Sequence, residues 1–187
     1  MGLYQLVEVS APSGYILQSQ PVSVRLSVGD GQKALVSETV PLNNTYLPAE
    51  ITLWKEKEAL HTVSGQKDTV QQVLVNEPGE GFVFGLFTAQ DIPYSNGVLM
   101  SDTLIATGAT DENGQLTFAG TYPHGEYVIR ELKAPEGWEI TPEAIPVSLQ
   151  PSQMTEDETM LRVLLVEPVH NKLIHQKVTL TKLDITG

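Results

Sequence analysis

The sequence predicts an all-β protein, and three observations support this fold class. Apolar and polar side chains alternate at period two along many short runs, which is typical of half-buried strands. Gly, Pro, Asn and Asp separate these runs and supply the chemistry of turns. No segment of the 187 residues shows a convincing helical period. The chain is therefore expected to fold as packed β-sheets.

The first part of the chain contains several of these runs. A turn is expected at Gly-Asp-Gly, residues 29–31, and a polar loop at residues 58–68. Strands are expected in the opening stretch 2–17 and at 21–28, 34–42 and 50–57. The turn separates the runs 21–28 and 34–42, and the loop follows the run 50–57. In the run 50–57 the side chains of Ile51, Leu53 and Lys55 share one face.

The rest of the chain continues the same pattern. The apolar run 82–87 is short enough to be a buried strand, and Asp111-Glu112-Asn113-Gly114 is a hairpin signal with its returning strand at 116–118. A loop is expected at 76–81, a turn at 92–97, two apolar patches within 98–107 and an acidic loop at 156–158. The other expected strands are 69–75, the alternating part of the stretch 125–140 that precedes its Pro-x-Gly turn, 145–149 and 161–169.

Composition narrows the classes of function. Hydrophobic residues make up 41% of the chain, which is ample for a packed core. The formal net charge is -12, from 11 Lys and Arg against 23 Asp and Glu, and it repels nucleic acid and anionic lipid, so neither is expected as a partner. There is no cysteine for disulfides or thiolate metal sites. No run is apolar enough to predict membrane insertion, and the chain is expected to be a piece of a longer protein.

Two stretches of the chain repeat one another. Residues 2–17 read GLYQLVEVSAPSGYIL and residues 125–140 read GEYVIRELKAPEGWEI, and both end in Ala-Pro-x-Gly-aromatic followed by two residues. In the second copy Tyr127, Ile129 and Glu131 share one face of a half-buried strand. In the first copy the matching residues on such a face are Tyr4, Leu6 and Glu8. A carboxylate on an otherwise apolar face needs a partner or a function.

The repeat extends to a second pair of stretches and predicts the domain organisation. Residues 40–55 align without a gap to residues 167–182, so that Asn44 matches Asn171 and Lys55 matches Lys182. Each unit then begins on a strand with a Lys, passes a strand with a Glu and ends on a strand with an Asn. We expect residues 1–47 to be the C-terminal part of a preceding unit, 48–174 to be one complete unit, and 175–187 to be the first strand of a following unit.

Lys55, Glu131 and Asn171 form a candidate reactive trio in the complete unit. Burial favours the neutral amine of a Lys and the protonated form of a Glu, and these are the forms needed for the amine to attack the amide carbonyl of Asn171. The alternative is structural: Lys55 and Glu131 form a buried ion pair, and Asn171 satisfies backbone groups near a strand end. Residue types and parity leave both interpretations open.

Four motifs give the sequence a family resemblance when they are taken in the order of one repeat unit. The first-strand motif is LTKLDITG, found here at 180–187, where the following unit is expected to begin. The next three are FVFGLFTAQDI at 82–92, TDENGQLTF at 110–118 and GEYVIRELKAPEGW at 125–138. With them the chain resembles the Cna protein B-type (SpaA-like) domain of Gram-positive surface proteins and pilins. The resemblance implies a transthyretin-like Greek-key β-sandwich, repeated in tandem.

The resemblance also implies an intramolecular isopeptide bond between a Lys of the first strand and an Asn of the last, assisted by the Glu. Carried over by motif, these residues are Lys55, Asn171 and Glu131, while Glu8, Asn44 and Lys182 belong to incomplete units. The sequence departs from the family pattern in the longer interval between Lys55 and the FGLF motif. Lys57 shares the parity of Lys55, which leaves open which of the two lysines reacts.

The expected function is a stalk or spacer module in a repetitive protein on the cell-wall-anchored surface of a Gram-positive bacterium, with neighbouring repeats as its partners. The rival interpretation is an adhesin that binds a host protein or carbohydrate through the insertion at residues 58–81. The chain has no Gly-x-Ser-x-Gly motif and no phosphate loop, so no turnover enzyme and no cofactor are expected. No metal site is expected either, because the four histidines lack ligand spacing: His61, His124, His170 and His175.

Overall fold

The computed structural model describes residues 2–26, 39–64, 70–94 and 97–175. Its strands are β1 (Gly2–Leu6), β2 (Tyr15–Ile16), β3 (Val22–Leu26), β4 (Thr45–Tyr46), β5 (Pro48–Ser64), β6 (Val70–Pro78), β7 (Val83–Thr88), β8 (Ile92–Tyr94), β9 (Gly97–Leu99), β10 (Leu104–Ala109), β11 (Gln115–Thr121), β12 (Gly125–Lys133), β13 (Ile145–Leu149), β14 (Leu161–Leu164) and β15 (Val169–Asn171). A single-turn 3₁₀ helix spans Pro151–Gln153. The expected turn at 29–31, residues 27–28 of the expected strand 21–28, residues 34–38 of the expected strand 34–42, and Lys182 lie outside the described residues.

Two sheets pack face to face, which confirms the all-β class and the β-sandwich. One sheet is antiparallel, in the order β10-β7-β12-β13, and the other is centred on β5, which pairs with β11, β14, β15 and β6. Alternate side chains of both sheets point into a shared core, where Ile51, Phe84 and Ile129 are fully buried. The alternation expected for residues 125–133 is confirmed, because Tyr127, Ile129 and Glu131 are the buried positions of β12.

Strand β5 is the longest in the described chain and corrects one prediction. Residues 58–64 were expected to lie in a loop, but they continue the strand and pair with β6, from Glu56 opposite Pro78 to Ser64 opposite Val70. The segment reads as polar because this part of the hairpin extends past the sandwich, where both faces can meet water. Cross-strand pairing then stabilises a strand that sequence hydropathy does not reveal.

The turn at Asp111–Gly114 forms, but the expected hairpin does not. Gly114 donates its N–H to the Asp111 carbonyl at 2.9 Å, and the Asp111 side chain accepts hydrogen bonds from the N–H groups of Asn113 and Gln115. The flanking strands lie in different sheets, since β10 pairs with β7 and β11 pairs with β5. The tight turn therefore crosses between the layers of the sandwich.

Two smaller differences concern strand limits. The segment expected only to turn at 92–97 contributes β8, which pairs with β9 in a short hairpin. The run expected as one strand at 161–169 is divided into β14 and β15, both parallel to β5. The division places Asn171 beside the middle of β5.

The opening strand also differs from the prediction. Tyr4 and Leu6 were expected on a half-buried face, but both side chains are exposed. Within the described ranges β1 pairs only with β3, and no second sheet covers the pair. Alternation marks a face that can be buried, and burial requires an opposing layer.

Candidate functional site

Lys55 lies in the middle of β5 with its side chain in the core. The residue is only 1% exposed, and its ammonium nitrogen Nζ donates hydrogen bonds to the carbonyls of Val169, at 2.9 Å, and Glu56. Nζ also lies 4.4 Å from the centroid of the Phe82 ring. Burial lowers the pKa of Lys55 to about 8, against the opposing influence of Glu131 and Glu56. The neutral amine is therefore favoured relative to a Lys in water.

Glu131 reaches the same interior from β12 in the opposite sheet. Its carboxylate oxygen Oε1 accepts a hydrogen bond from Asn171 Nδ2 at 2.6 Å, and Oε2 accepts one from the Thr141 N–H at 3.4 Å. Burial raises the pKa of Glu131 and outweighs these hydrogen bonds and the charge of Lys55, which act to lower it. The protonated carboxyl is therefore favoured relative to a Glu in water.

Asn171 ends β15 and is almost fully buried. Besides Glu131, its Nδ2 has a second acceptor in the Glu139 carbonyl, at 2.7 Å. Its oxygen Oδ1 is buried and has no hydrogen-bond partner among the described residues. Two acceptors hold the amide nitrogen, so the NH₂ group is oriented and Oδ1 is left without a protein donor.

The segment after β12 contributes backbone groups that sequence reasoning missed. Glu139 accepts from Asn171 through its carbonyl and donates its N–H to the Lys172 carbonyl at 2.9 Å, while the Thr141 N–H supports Glu131. Backbone groups are common to all residue types except for the N–H of Pro, so no side-chain pattern could have identified them.

The two candidate lysines have different surroundings. In the parallel pairing of β5 with β15, Lys55 lies opposite Val169 and Lys57 lies opposite Asn171. The Lys57 side chain is 20% exposed, pairs with the Glu77 carboxylate at 3.5 Å, and lies over the Trp138 ring at 4.6 Å. Asn171 therefore lies two residues further along the strand direction than Lys55, a separation of about 6.6 Å. The four-carbon side chain of Lys55 is long enough to span this separation.

The structure therefore brings Lys55, Glu131 and Asn171 into one buried site. Phe82 forms an apolar wall beside it, and Trp138 packs edge-on against Phe82 with ring centroids 6.2 Å apart. The Trp138 indole N–H donates to the Glu58 carbonyl at 2.8 Å. Little water can enter such a site, and the low dielectric strengthens every polar contact inside it.

Glu8, which the sequence repeat aligns with Glu131, accepts a matching backbone hydrogen bond. Glu8 accepts from the N–H of Gln18 at 2.7 Å, ten residues later in the chain, as Glu131 does from Thr141. Glu8 and Asn44 line one cavity of about 150 Å³. Lys182, which the sequence repeat aligns with Lys55, is outside the described ranges.

The remaining candidates do not form a second site. His61 lies 3.3 Å from the Glu77 carboxylate and His170 lies 3.3 Å from the Glu56 carboxylate, on the surface. His124 packs edge-on against Tyr15 and Tyr46, and His175 forms no ion pair within the described residues. In the part of the chain that the structure describes, no three His, Asp or Glu side chains could hold a metal ion, and no helix could span a membrane.

A family model described as SpaA, prealbumin-like fold domain, matches residues 49–161. The Bacillus anthracis TIE protein is a similar solved structure, with 20% identity and a TM-score of 0.44, over 92% of this chain and 25% of that one. GBS52, the minor pilin of the Gram-positive pathogen Streptococcus agalactiae, shows 17% identity and a TM-score of 0.42, over 97% of this chain and 64% of that one.

The full-length major pilin SpaD from Corynebacterium diphtheriae shows 15% identity and a TM-score of 0.39, over 72% of this chain and 32% of that one. This chain thus spans 25% to 64% of the length of these solved structures. No curated protein sequence matches it.

Proposed function

The chain belongs to the SpaA family of prealbumin-like fold domains, and on this premise we propose that it is a stalk or spacer module of a repetitive Gram-positive surface protein. The complete domain is stabilised by an amide between Lys55 and Asn171, formed once with the help of Glu131. The protein acts outside the cell and has no turnover activity. Its partners are the neighbouring units of the same protein.

One observation carries this proposal: the entry and exit strands of the domain lie side by side with the trio buried between the sheets. The chain enters on β5 and leaves after β15, and these strands are parallel neighbours. A crosslink there joins the two ends of the domain directly. Tension along the chain would pass from one strand to the other through a covalent bond, and residues 56–170 would lie outside the force path.

The proposed reaction needs no external reagent. The neutral Nζ of Lys55 attacks the side-chain carbonyl carbon of Asn171, a C–N bond forms, and the Asn171 C–Nδ2 bond breaks. One proton of the amine passes through the Glu131 carboxyl to the leaving NH₂ group, so ammonia is released. Glu131 Oε1 already lies 2.6 Å from Nδ2, within the reach required for proton transfer.

The two pKa shifts favour the reactive forms together. At pH 7 a Lys with a pKa near 8 is neutral about 300 times more often than one at the ordinary value of 10.5. The raised pKa of Glu131 increases the fraction of carboxyl that can donate a proton. A buried ion pair remains the competing interpretation of the same residues.

The intact mass of the purified chain tests the proposal. The crosslinked protein is lighter than its sequence by one ammonia. Digestion should yield one branched peptide pair that contains both Lys55 and Asn171. A wild-type chain with its full sequence mass, freshly folded at neutral pH, would exclude the amide.

A backbone hydrogen bond that occurs at matching positions of the repeat supports the tandem organisation. Leu47 donates its N–H to the Gly14 carbonyl at 2.9 Å, and Ile174 donates to the Gly137 carbonyl at 2.8 Å, at positions that the repeat aligns. We take residues 1–47 as part of a preceding unit, 48–174 as the complete domain and 175–187 as the start of a following unit.

The hairpin of β5 and β6 favours a second candidate function, adhesion to a host protein or carbohydrate. Its extension exposes four aliphatic side chains, those of Leu60, Val63, Val73 and Leu74. Exposed apolar groups on a projecting element are suited to contact with a partner. Binding of the whole chain to immobilised host extracellular proteins and to a glycan array, compared with a variant in which all four are Ser, tests this candidate.

A further inference from the structure

The connection between the first unit and the complete domain contains almost no linker. Strand β4 ends at Tyr46 and β5 begins at Pro48, so only Leu47 lies between them. Leu47 is 6% exposed and belongs to the core of the complete domain. Its N–H donates a hydrogen bond to the Gly14 carbonyl of the first unit. Pro48 fixes its own φ and restricts the backbone of Leu47. The connection itself is therefore stiff.

His124 of the complete domain packs against two aromatic rings of the first unit. It precedes β12, and its ring centroid lies 5.2 Å from that of Tyr15 and 4.9 Å from that of Tyr46, edge-on to both. The two tyrosines are themselves 4.7 Å apart, centroid to centroid. Aromatic groups in this geometry attract one another beyond their burial of surface.

Gly14 allows this approach. It is in a turn where Tyr15 donates its N–H to the Pro12 carbonyl at 3.1 Å, and its φ is +84°. A Cβ on Gly14 would lie 2.4 Å from Cε1 of His124 and 3.3 Å from Cγ of Pro151. The imidazole also packs edge-on against Tyr15 and Tyr46, so moving it aside would disturb both aromatic contacts. Any larger residue would force the turn away from the domain.

The matching turn of the complete domain supplies a comparison within the same chain. Trp138 donates its N–H to the Pro135 carbonyl at 3.4 Å, and Gly137 has a φ of +98°. A Cβ on Gly137 would meet no atom of the described chain within 4 Å. The two glycines therefore share a backbone conformation, and only Gly14 adds close contact with a neighbouring unit.

We propose that the Gly14 turn, Tyr15 and Tyr46 form a docking surface for the His124 and Pro151 face of the following unit, and that this contact fixes the angle between the two units. The partner is another unit of the same repeat. The inference rests on the proposed tandem organisation but not on the Lys55–Asn171 amide. A stalk of such units bends little at its junctions.

Distance measurements between spin labels test the junction in the whole chain. The protein has no cysteine, so Gln20→Cys and Glu112→Cys provide one exposed label on each unit for double electron–electron resonance. Wild type and Gly137→Ala should give one narrow distance distribution. Gly14→Ala should broaden it about twofold or more, because units without a firm interface move relative to one another.

Each outcome decides for or against the junction. A broad distribution in wild type, a narrow one in Gly14→Ala, or equal broadening in both glycine variants would overturn the proposal. His124→Ala removes the same contact from the other side and should also broaden the distribution; it decides the matter if Gly14→Ala fails to fold. The intact mass of each sample is measured in parallel, so loss of the junction is distinguished from absence of the amide.

Discussion

Replacing Glu131 with Gln should leave Lys55 and Asn171 unlinked while preserving the size of the side chain. The amide encloses about 115 residues, and the chain-entropy model for crosslinks assigns such a loop about 5 kcal/mol of stability. A domain of this size has an unfolding entropy that converts 1 kcal/mol into about 4 °C, so the unlinked variant should melt about 20 °C below wild type.

Intact mass and differential scanning calorimetry on the same samples measure this effect. Wild type should lack the mass of one ammonia, and Glu131→Gln should have the full mass expected from its sequence. Asn171→Ala reaches the unlinked state by a different substitution, so the melting shift that both variants share reports the crosslink. Glu126→Gln is the matched control, because it makes the same change on the opposite face of β12, where Glu126 accepts from Ser148 Oγ at 2.7 Å.

Three results would refute this reasoning at different steps. A full mass in wild type excludes the amide. An ammonia deficit in Glu131→Gln means that the carboxyl is not required for the reaction. An unlinked variant that melts within about 5 °C of wild type means that the loop-entropy estimate does not apply to this domain.

Three further predictions concern the choice of lysine, the mechanics and the pH dependence. Lys57→Ala should retain the ammonia deficit and Lys55→Ala should lose it; the reverse result would assign the reaction to Lys57. In single-molecule stretching, wild type should lack the step of about 400 Å that release of the enclosed segment would give, and Glu131→Gln should restore it, whereas a full step in wild type would contradict the stalk mechanism. In unlinked Asn171→Ala the folded state lowers the pKa of Lys55 from 10.5 to about 8. The unfolded state then binds more protons between these values, so stability should rise with pH from about 8 to 10.5. Linked wild type has no free amine at Lys55, and chemical denaturation should show a smaller rise; equal slopes would exclude the shift.

Much of the candidate site could be predicted from local sequence. Alternation along residues 125–133 placed Glu131 on the buried face with Tyr127 and Ile129, and the structure agrees. The repeat identified Lys55 and Asn171, which are both buried. The burial of Glu131 could be predicted because strand side chains two positions apart point to the same face.

Strand partners were harder to predict. The Asp111–Gly114 turn has the sequence of a hairpin, but β10 and β11 join different sheets. Residues 58–64 have the composition of a loop, but β6 holds them in a strand. Pairing is decided by the whole set of available strands, which lie far apart in the chain, and a local pattern contains no information about them.

The sequence by itself determined the all-β class, the repeat and the three residues of the candidate site, because each follows from residue type and spacing along the chain. Tertiary structure alone decided that the Glu139 carbonyl orients Asn171, that Lys57 pairs with Glu77 and that Gly14 meets His124. These contacts join backbone groups or residues distant in sequence. They exist only after the strands have chosen partners and two layers have closed on one another, since burial and proximity are properties of the packed molecule.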